Sequence, residues 1–114
     1  MFADVLEQAD YLLSGGYKDQ AAVTCGSALE SHLRNLCAKS SLDTRDADGK
    51  LKKANRLNDD LAKAGAYSAL EQKSVTAWLA VRNSAAHGQY GDYNAEQVKL
   101  MIASVGDFIA RHPA

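Results

Sequence analysis

Apolar residues recur at helical spacing along most of the chain. Residues 2–14, FADVLEQADYLLS, place apolar side chains at intervals of three and four, and Gly15 and Gly16 follow directly. Because an α-helix repeats every 3.6 residues, this spacing predicts a helix with one buried face, and the glycine pair predicts its end. The same spacing predicts a second, longer helix from Asp19 to about Lys39.

The middle of the chain is more polar. The stretch SSLDTRDADG is rich in Ser, Asp and Gly, which predicts a loop. A third helix is predicted over residues 49–63, with Leu51, Ala54, Leu57 and Leu61 on one side. It is the least apolar of the predicted helices.

Capping signals mark two further helices. Ser68, with Glu71 three residues later, predicts a capping box at the start of a fourth helix. Gly88 is expected at the position that ends this helix. A fifth helix is predicted to begin near Asn94 and to end before Pro113.

The whole pattern predicts an all-α fold. No segment alternates with the period of two that a strand requires, and the chain contains no internal repeat and no evident linker. With 114 residues it has the size of one domain. We therefore expect residues 1–114 to form a single antiparallel bundle of four to five helices.

Charge is spread unevenly along the chain. The formal net charge is −1, whereas general nucleic-acid binders usually carry a basic excess. Residues 31–63 nevertheless hold eight Lys or Arg against five Asp. Within them Lys50, Lys52, Lys53 and Arg56 are candidate phosphate contacts on RNA. The alternative is that they form an ordinary solvated helix face.

Several chemistries and locations are disfavoured. Three histidines and two cysteines at scattered positions give no zinc spacing. Cys25 and Cys37 fall in one predicted helix, roughly 18 Å apart, so they cannot form an intrachain disulfide and are expected to be small core residues. No apolar run is long enough to span a bilayer, and the N-terminus lacks the features of a secretory signal. We therefore expect a cytoplasmic protein without membrane contact.

The segment RNSAAHGQYGDY holds the candidate chemistry. An α-helix turns about 100° per residue, so Trp78 and Val81 are expected on the core face of the fourth helix. On the same basis Arg82, Asn83 and His87 are expected to share a surface that faces away from this core. Alanines lie between them, and such small residues allow a second backbone to approach closely.

At this point the residues resemble a known family. Arg82 and His87 form an Arg-Asn-x3-His element, which resembles the Arg-x4-His signature of HEPN domains, an all-α superfamily. Residues 21–36, AAVTCGSALESHLRNL, are similar to the second helix of many bacterial HEPN proteins, with an acidic position at Glu30 and a basic one at Arg34. The final amphipathic helix also resembles the end of that fold.

The resemblance implies a metal-independent endoribonuclease that needs no cofactor. Members act as homodimers in which two such motifs meet across a cleft, and the RNA 2′-hydroxyl attacks the adjacent phosphate to leave a cyclic phosphate. Arg82 would then stabilise phosphate charge, His87 would transfer a proton, and Asn83 would orient the histidine or the substrate. The resemblance also suggests a toxin or defence effector that is restrained by a nucleotidyltransferase-type antitoxin.

The residues themselves leave alternatives open. Arg82 could pair with an acidic neighbour and His87 could cap helix carbonyls, with no catalytic role for either. Glu30 could support Arg82 from within the fold or lie in solvent.

Tyrosines follow the motif, and their role is open as well. Tyr90 and Tyr93 could stack on RNA bases or simply pack against the protein. The whole domain could also be a non-catalytic HEPN-type module that binds a nucleotide or mediates dimerisation.

Overall fold

The structure is a computed structural model that describes residues 2–114. Within this range it contains five α-helices and one 3₁₀ turn but no β-strand, which confirms the predicted all-α bundle. The helices are α1 (Phe2–Ser14), α2 (Lys18–Lys39), α3 (Ala54–Lys63), α4 (Ala69–Ala86) and α5 (Ala95–Arg111), and the 3₁₀ turn is Tyr90–Asp92.

Helix α2 lies at the centre of the bundle. It packs against each of the other four helices, and its residues Cys25, Leu29 and Leu33 are fully buried. A three-residue turn, 15–17, joins it to α1, so the two form an antiparallel helical hairpin. None of the described helices has both the length and the mean hydropathy needed to cross a bilayer.

Phe108 on α5 organises the aromatic part of the core. Its buried ring makes T-shaped contacts with Tyr67 and Trp78, with ring centroids 5.4 and 5.8 Å away. Trp78, expected in the core, is half-buried and packs against it. These contacts attach α5 to α4 and to the turn that precedes α4.

Helix ends largely follow the capping signals. Ser68 accepts a hydrogen bond from the backbone of Glu71, as predicted, but the Glu71 carboxylate accepts from Arg111 at 2.6 Å. The capping box that forms completely is at α5, where Asn94 and Gln97 exchange side-chain and backbone hydrogen bonds. The Glu71 side chain therefore forms a long-range ion pair with Arg111 and does not complete the local cap that the sequence pattern predicts.

The predicted start of the third helix is wrong. Helix α3 begins at Ala54 rather than at residue 49. The Asp46 carboxylate accepts hydrogen bonds from the backbone N–H groups of Asp48 and Lys50, which closes a turn that competes with helix formation. As a result Leu51, expected on the apolar side of this helix, lies before it and is exposed.

A buried polar cluster fixes α3 against α4. Asn58 is fully buried, and its side-chain amide donates to the Gln72 carbonyl at 3.0 Å and to the Thr76 hydroxyl at 3.1 Å. Its side-chain oxygen accepts from the Tyr67 hydroxyl at 2.6 Å. Because unsatisfied buried polar groups are costly, these bonds restrict α3 to one position beside α4.

Candidate functional site

Helices α2 and α4 approach each other closely at Gly26. A Cβ atom at this position would collide with Cβ and Cγ of Arg82. The missing side chain of Gly26 therefore makes the space in which the aliphatic part of Arg82 lies. As a result the arginine of the candidate motif runs along α2 and not into open solvent.

The polar end of Arg82 is held by hydrogen bonds. Its Nη2 donates to Glu30 Oε1 at 3.1 Å, and its Nε donates to Asn83 Oδ1 at 3.2 Å. The other Glu30 oxygen accepts from Arg34 Nη2 at 2.8 Å. Of the two positions considered for Glu30, the structure has the one in which the carboxylate supports Arg82.

The expected direction of Arg82 is wrong. Val75, Leu79 and Ala85 are the buried residues of α4, and Arg82 lies on the same side of the helix, half-buried. His87 is exposed on a different side. The helical pattern placed Arg82 outside because it took the side of Trp78 and Val81 as the core face. The space above Gly26 and the charge of Glu30 accommodate the arginine inside.

Glu30 is ionised under ordinary conditions. Partial burial acts to raise the pKa of its carboxyl, but hydrogen bonds and charges from Arg34 and Arg82 outweigh this and hold the pKa below its usual value of 4.5. One carboxylate therefore holds two guanidinium groups near each other, although their like charges repel.

A polar pocket opens beside this network. Its volume is about 220 Å³, and it lies where α2, α4 and the start of α3 meet. Besides the two arginines, its walls contain both acidic and amide side chains and two lysines. The lining residues are Glu30, Arg34, Leu51, Lys52, Lys53, Ala54, Asn55, Leu79, Arg82 and Asn83.

Two of the four basic residues proposed as RNA contacts line this pocket. Lys53 lines the pocket and is exposed, whereas Lys52 lines it but pairs with Asp60 at 2.9 Å. Lys50 and Arg56 are exposed and lie outside its walls. Of the two lysines that line the pocket, Lys53 is therefore the one whose charge is available to a ligand.

Arg34 is the functional candidate that the sequence pattern left out of the site. Its Nη2 donates to Glu30 and also to the Lys52 carbonyl at 2.9 Å, which ties α2 to the segment before α3. One signal was present in the sequence: Gly26, Glu30 and Arg34 are spaced by four and so lie on one side of α2. The loop carbonyl that completes the arrangement has no such signal.

His87 terminates α4 as the motif predicts. Gly88 follows with φ +76°, and Gln89 donates its backbone N–H to the Ser84 carbonyl at 2.8 Å. These features define a Schellman motif, in which glycine takes the left-handed position. His87 is thus fixed at the helix end with its side chain exposed.

The segment after His87 is attached to the start of α2. Lys18 Nζ donates to the carbonyls of Tyr90 at 2.6 Å and Tyr93 at 3.2 Å, and it lies over the Tyr93 ring. Tyr93 is buried and donates its hydroxyl to Asp19. It is therefore a packing residue and does not stack on RNA, whereas Tyr90 is 52% exposed and available.

Other chemistries find little support among the described residues. No group of three or more His, Cys, Asp or Glu in residues 2–114 is arranged to hold a metal ion. Cys25 and Cys37 are buried, and burial raises the pKa of the Cys25 thiol to about 12 and that of Cys37 above its usual value. The thiolate is the nucleophilic form, so a raised pKa disfavours a nucleophilic role for either cysteine. Both are buried core residues, as predicted.

Comparison with known proteins adds no family assignment. No protein-family model, curated protein or solved structure matches this chain. The resemblance to HEPN domains therefore depends on the Arg-Asn-x3-His element and on its position in a helical bundle.

Replacing Gly26 by alanine tests the close approach of α2 and α4. We expect Gly26→Ala to destabilise the fold by about 1–3 kcal/mol, because the new methyl group displaces Arg82 from Glu30. Gly106→Ala is the matched control, since the nearest atom to its new methyl is Leu6 Cδ1 at 3.6 Å. That change should be neutral or stabilising by up to about 1 kcal/mol. Urea denaturation measures both, and equal effects would contradict the packing described.

The Glu30 network predicts a pH-dependent stability. A carboxyl whose pKa is lowered on folding stabilises the fold above its unfolded pKa, and this contribution is lost as the pH falls through the folded pKa. We expect Glu30→Gln to cost roughly 1 kcal/mol at neutral pH. The difference from wild type should shrink steadily below pH 4.5, the ordinary pKa of this group.

Urea denaturation from pH 7 to pH 3 measures this difference. Glu7→Gln, at an exposed position on α1, is the control and should follow wild type throughout. If the wild-type and Glu30→Gln curves stay parallel across the whole range, Glu30 does not stabilise the network through its charge.

Proposed function

We propose that this protein is a metal-independent endoribonuclease that acts as a homodimer, as the HEPN-like motif suggests. The observation that supports this most is the fixed position of Arg82, whose guanidinium is held by Glu30 and Asn83 at the edge of a polar pocket. A charged group that is oriented before the substrate binds is what stabilisation of a phosphorane requires.

In this proposal Arg82 supplies positive charge to the phosphate that is attacked. Nη2 is partly occupied by Glu30, but a guanidinium has five N–H donors. Those that remain can donate to phosphate oxygens. Glu30 is a positioning residue, because it acts on the phosphate only through Arg82.

His87 transfers the proton in the proposed reaction. Its exposed side chain at the end of α4 is accessible to an RNA 2′-hydroxyl. Removal of that proton lets the 2′-oxygen attack the adjacent phosphorus, and the bond from phosphorus to the 5′-oxygen breaks. A second imidazole then protonates the leaving 5′-oxygen.

The second imidazole is the reason for proposing a dimer. His32 is buried, and His112 packs against Tyr67 and Phe108, so neither is placed to share the site with His87. A two-fold axis near the end of α4 would bring His87 of a second chain close. The outer side of α4 carries exposed alanines at positions 77, 80 and 86, which permit such an approach.

An RNA cleavage assay tests the proposal. We expect EDTA-treated protein to cut single-stranded RNA and to leave 2′,3′-cyclic phosphate ends, whereas RNA with 2′-deoxy positions stays intact. His87→Ala should lose activity by about 100-fold or more. Gln89→Ala, a neighbouring exposed position, is the control and should retain wild-type activity. Uncut RNA, or His87→Ala activity equal to wild type, would refute the nuclease.

Mixing of subunits tests the shared site separately. Wild-type and His87→Ala chains are unfolded and refolded together in equal amounts so that dimers form at random. If both histidines are needed, about a quarter of the activity of an all-wild-type sample remains, because only dimers with two intact chains react. If each chain acts alone, about half remains. The second result would show that the reaction does not need histidines from two chains.

A non-catalytic module is the second candidate function. One observation favours it: the pocket brings Arg82 and Asn83 together with Arg34 and Lys53, whereas His87 is not part of its walls. Such a module would bind a nucleotide, or mediate dimerisation, without cutting RNA. For the nuclease, by contrast, an antitoxin of the nucleotidyltransferase type is a candidate partner.

A further inference from the structure

The pocket between α2, α4 and the start of α3 concentrates positive charge in a slightly acidic chain. The formal net charge of the protein is −1, yet Arg34, Lys52, Lys53 and Arg82 line the pocket against a single acidic residue, Glu30. Pairing with Asp60 offsets the charge of Lys52. Two positive charges still remain in excess within a concave surface, which favours an anionic ligand.

Arg34 has donors that the protein does not use. Its Nη2 is occupied by Glu30 and by the Lys52 carbonyl. Its Nη1 is buried and has no hydrogen-bond partner among the described residues. A buried N–H group without an acceptor is costly, and Arg34 lines the pocket, so a small shift of its side chain would let Nη1 donate to an anion there.

The start of α3 forms another wall of the pocket. Ala54 and Asn55, the first two residues of the helix, line it. Lys53 at the N-cap makes no side-chain capping bond, and the first turn contains no acidic residue. The free N–H groups and the positive end of the helix dipole therefore add to the attraction that the arginines and Lys53 exert.

The size of the pocket restricts the ligand. A volume of about 220 Å³ is below the roughly 300–1,000 Å³ of typical small-molecule sites. It therefore suits a small anionic group and not a large ligand. Planar guanidinium groups match the tetrahedral oxygens of phosphate through paired hydrogen bonds, and this favours phosphate over a simple halide.

We propose that this pocket binds a phosphate group, with Arg34 and Lys53 as direct contacts and Arg82 beside Arg34 on the pocket wall. Neither Arg34 nor the start of α3 belongs to the Arg-Asn-x3-His element. The site requires neither His87 nor a second chain, so it goes beyond the proposed nuclease, and it deepens the nucleotide-binding alternative by naming the group that is bound and the residues that contact it. The phosphate belongs to a mononucleotide, to RNA or to free inorganic phosphate, and each source makes the same contacts.

Titration with inorganic phosphate at constant ionic strength tests the site. Amide resonances recorded by NMR should shift in a saturable way at Ala54 and Asn55, at the start of α3. Lys53→Gln and Arg34→Gln should each weaken binding by about tenfold, the loss of one charge-assisted hydrogen bond. Lys63→Gln is the matched control, because it removes the same charge from the exposed opposite end of α3 and should bind as wild type.

Two results would overturn the proposal. Either Ala54 and Asn55 fail to respond at tens of millimolar phosphate, or Lys53→Gln binds as tightly as Lys63→Gln. Because Lys53 is exposed, its replacement leaves the core intact and the comparison does not depend on Arg34→Gln folding.

Further titrations identify the source of the phosphate. Adenosine monophosphate and 2′-deoxy oligonucleotides with or without a 5′-phosphate are compared with inorganic phosphate. Tighter binding only when a 5′-phosphate is present indicates a terminal phosphate, and equal binding of both oligonucleotides indicates the backbone. Loss of each affinity in Lys53→Gln supports the site, and affinity unaffected by Lys53→Gln overturns it.

Failure of this site and failure of the nuclease can be told apart. His87→Ala should lose RNA cleavage but keep phosphate-dependent shifts at α3, because His87 lies outside the pocket. If the protein cuts RNA through His87 but shows no such shifts, the nuclease proposal stands and the phosphate-site proposal is wrong.

Discussion

The close approach of α2 and α4 at Gly26 is the constraint on which the candidate site depends. It admits the aliphatic part of Arg82 between two helices and brings the guanidinium to Glu30. Glu30 also accepts a hydrogen bond from Arg34, and Arg34 in turn donates to the Lys52 carbonyl in the segment before α3. Through this sequence of contacts, one missing side chain determines where three helices meet and where the polar pocket opens. The pocket is therefore a result of backbone packing as much as of charge.

Such a partly buried ionic network is a poor means of gaining stability alone. Removing charges from water is costly, and apolar residues of similar size often stabilise a fold as well or better. Here the network separates two tasks. Glu30 uses its charge to hold Arg82 and Arg34 in place, and both arginines line the pocket with N–H donors that Glu30 does not occupy. Orientation is thus achieved before any ligand arrives, and a ligand does not have to supply that ordering itself.

The sequence was sufficient to predict most of the fold but only part of the site. Local signals succeeded where a residue acts on its own backbone: Ser68 and Asn94 start helices, and Gly88 ends one. They failed where a contact that the hydrophobic pattern does not contain decided the outcome. Arg82 was placed outside because the helical spacing of α4 cannot reveal the space that Gly26 leaves on another helix. Residues 49–53 were assigned to a helix because the Asp46 side chain that closes the turn lies outside the hydrophobic pattern.

The contacts of α2 have a consequence for motion. Lys18 at its first residue holds the segment that follows His87, and Glu30, further along the same helix, holds Arg82. The two ends of the Arg-Asn-x3-His element are thus attached to one continuous helix as well as to each other through α4. A tilt of α2 would shift both together, so the arginine and the histidine would change position as a single rigid unit.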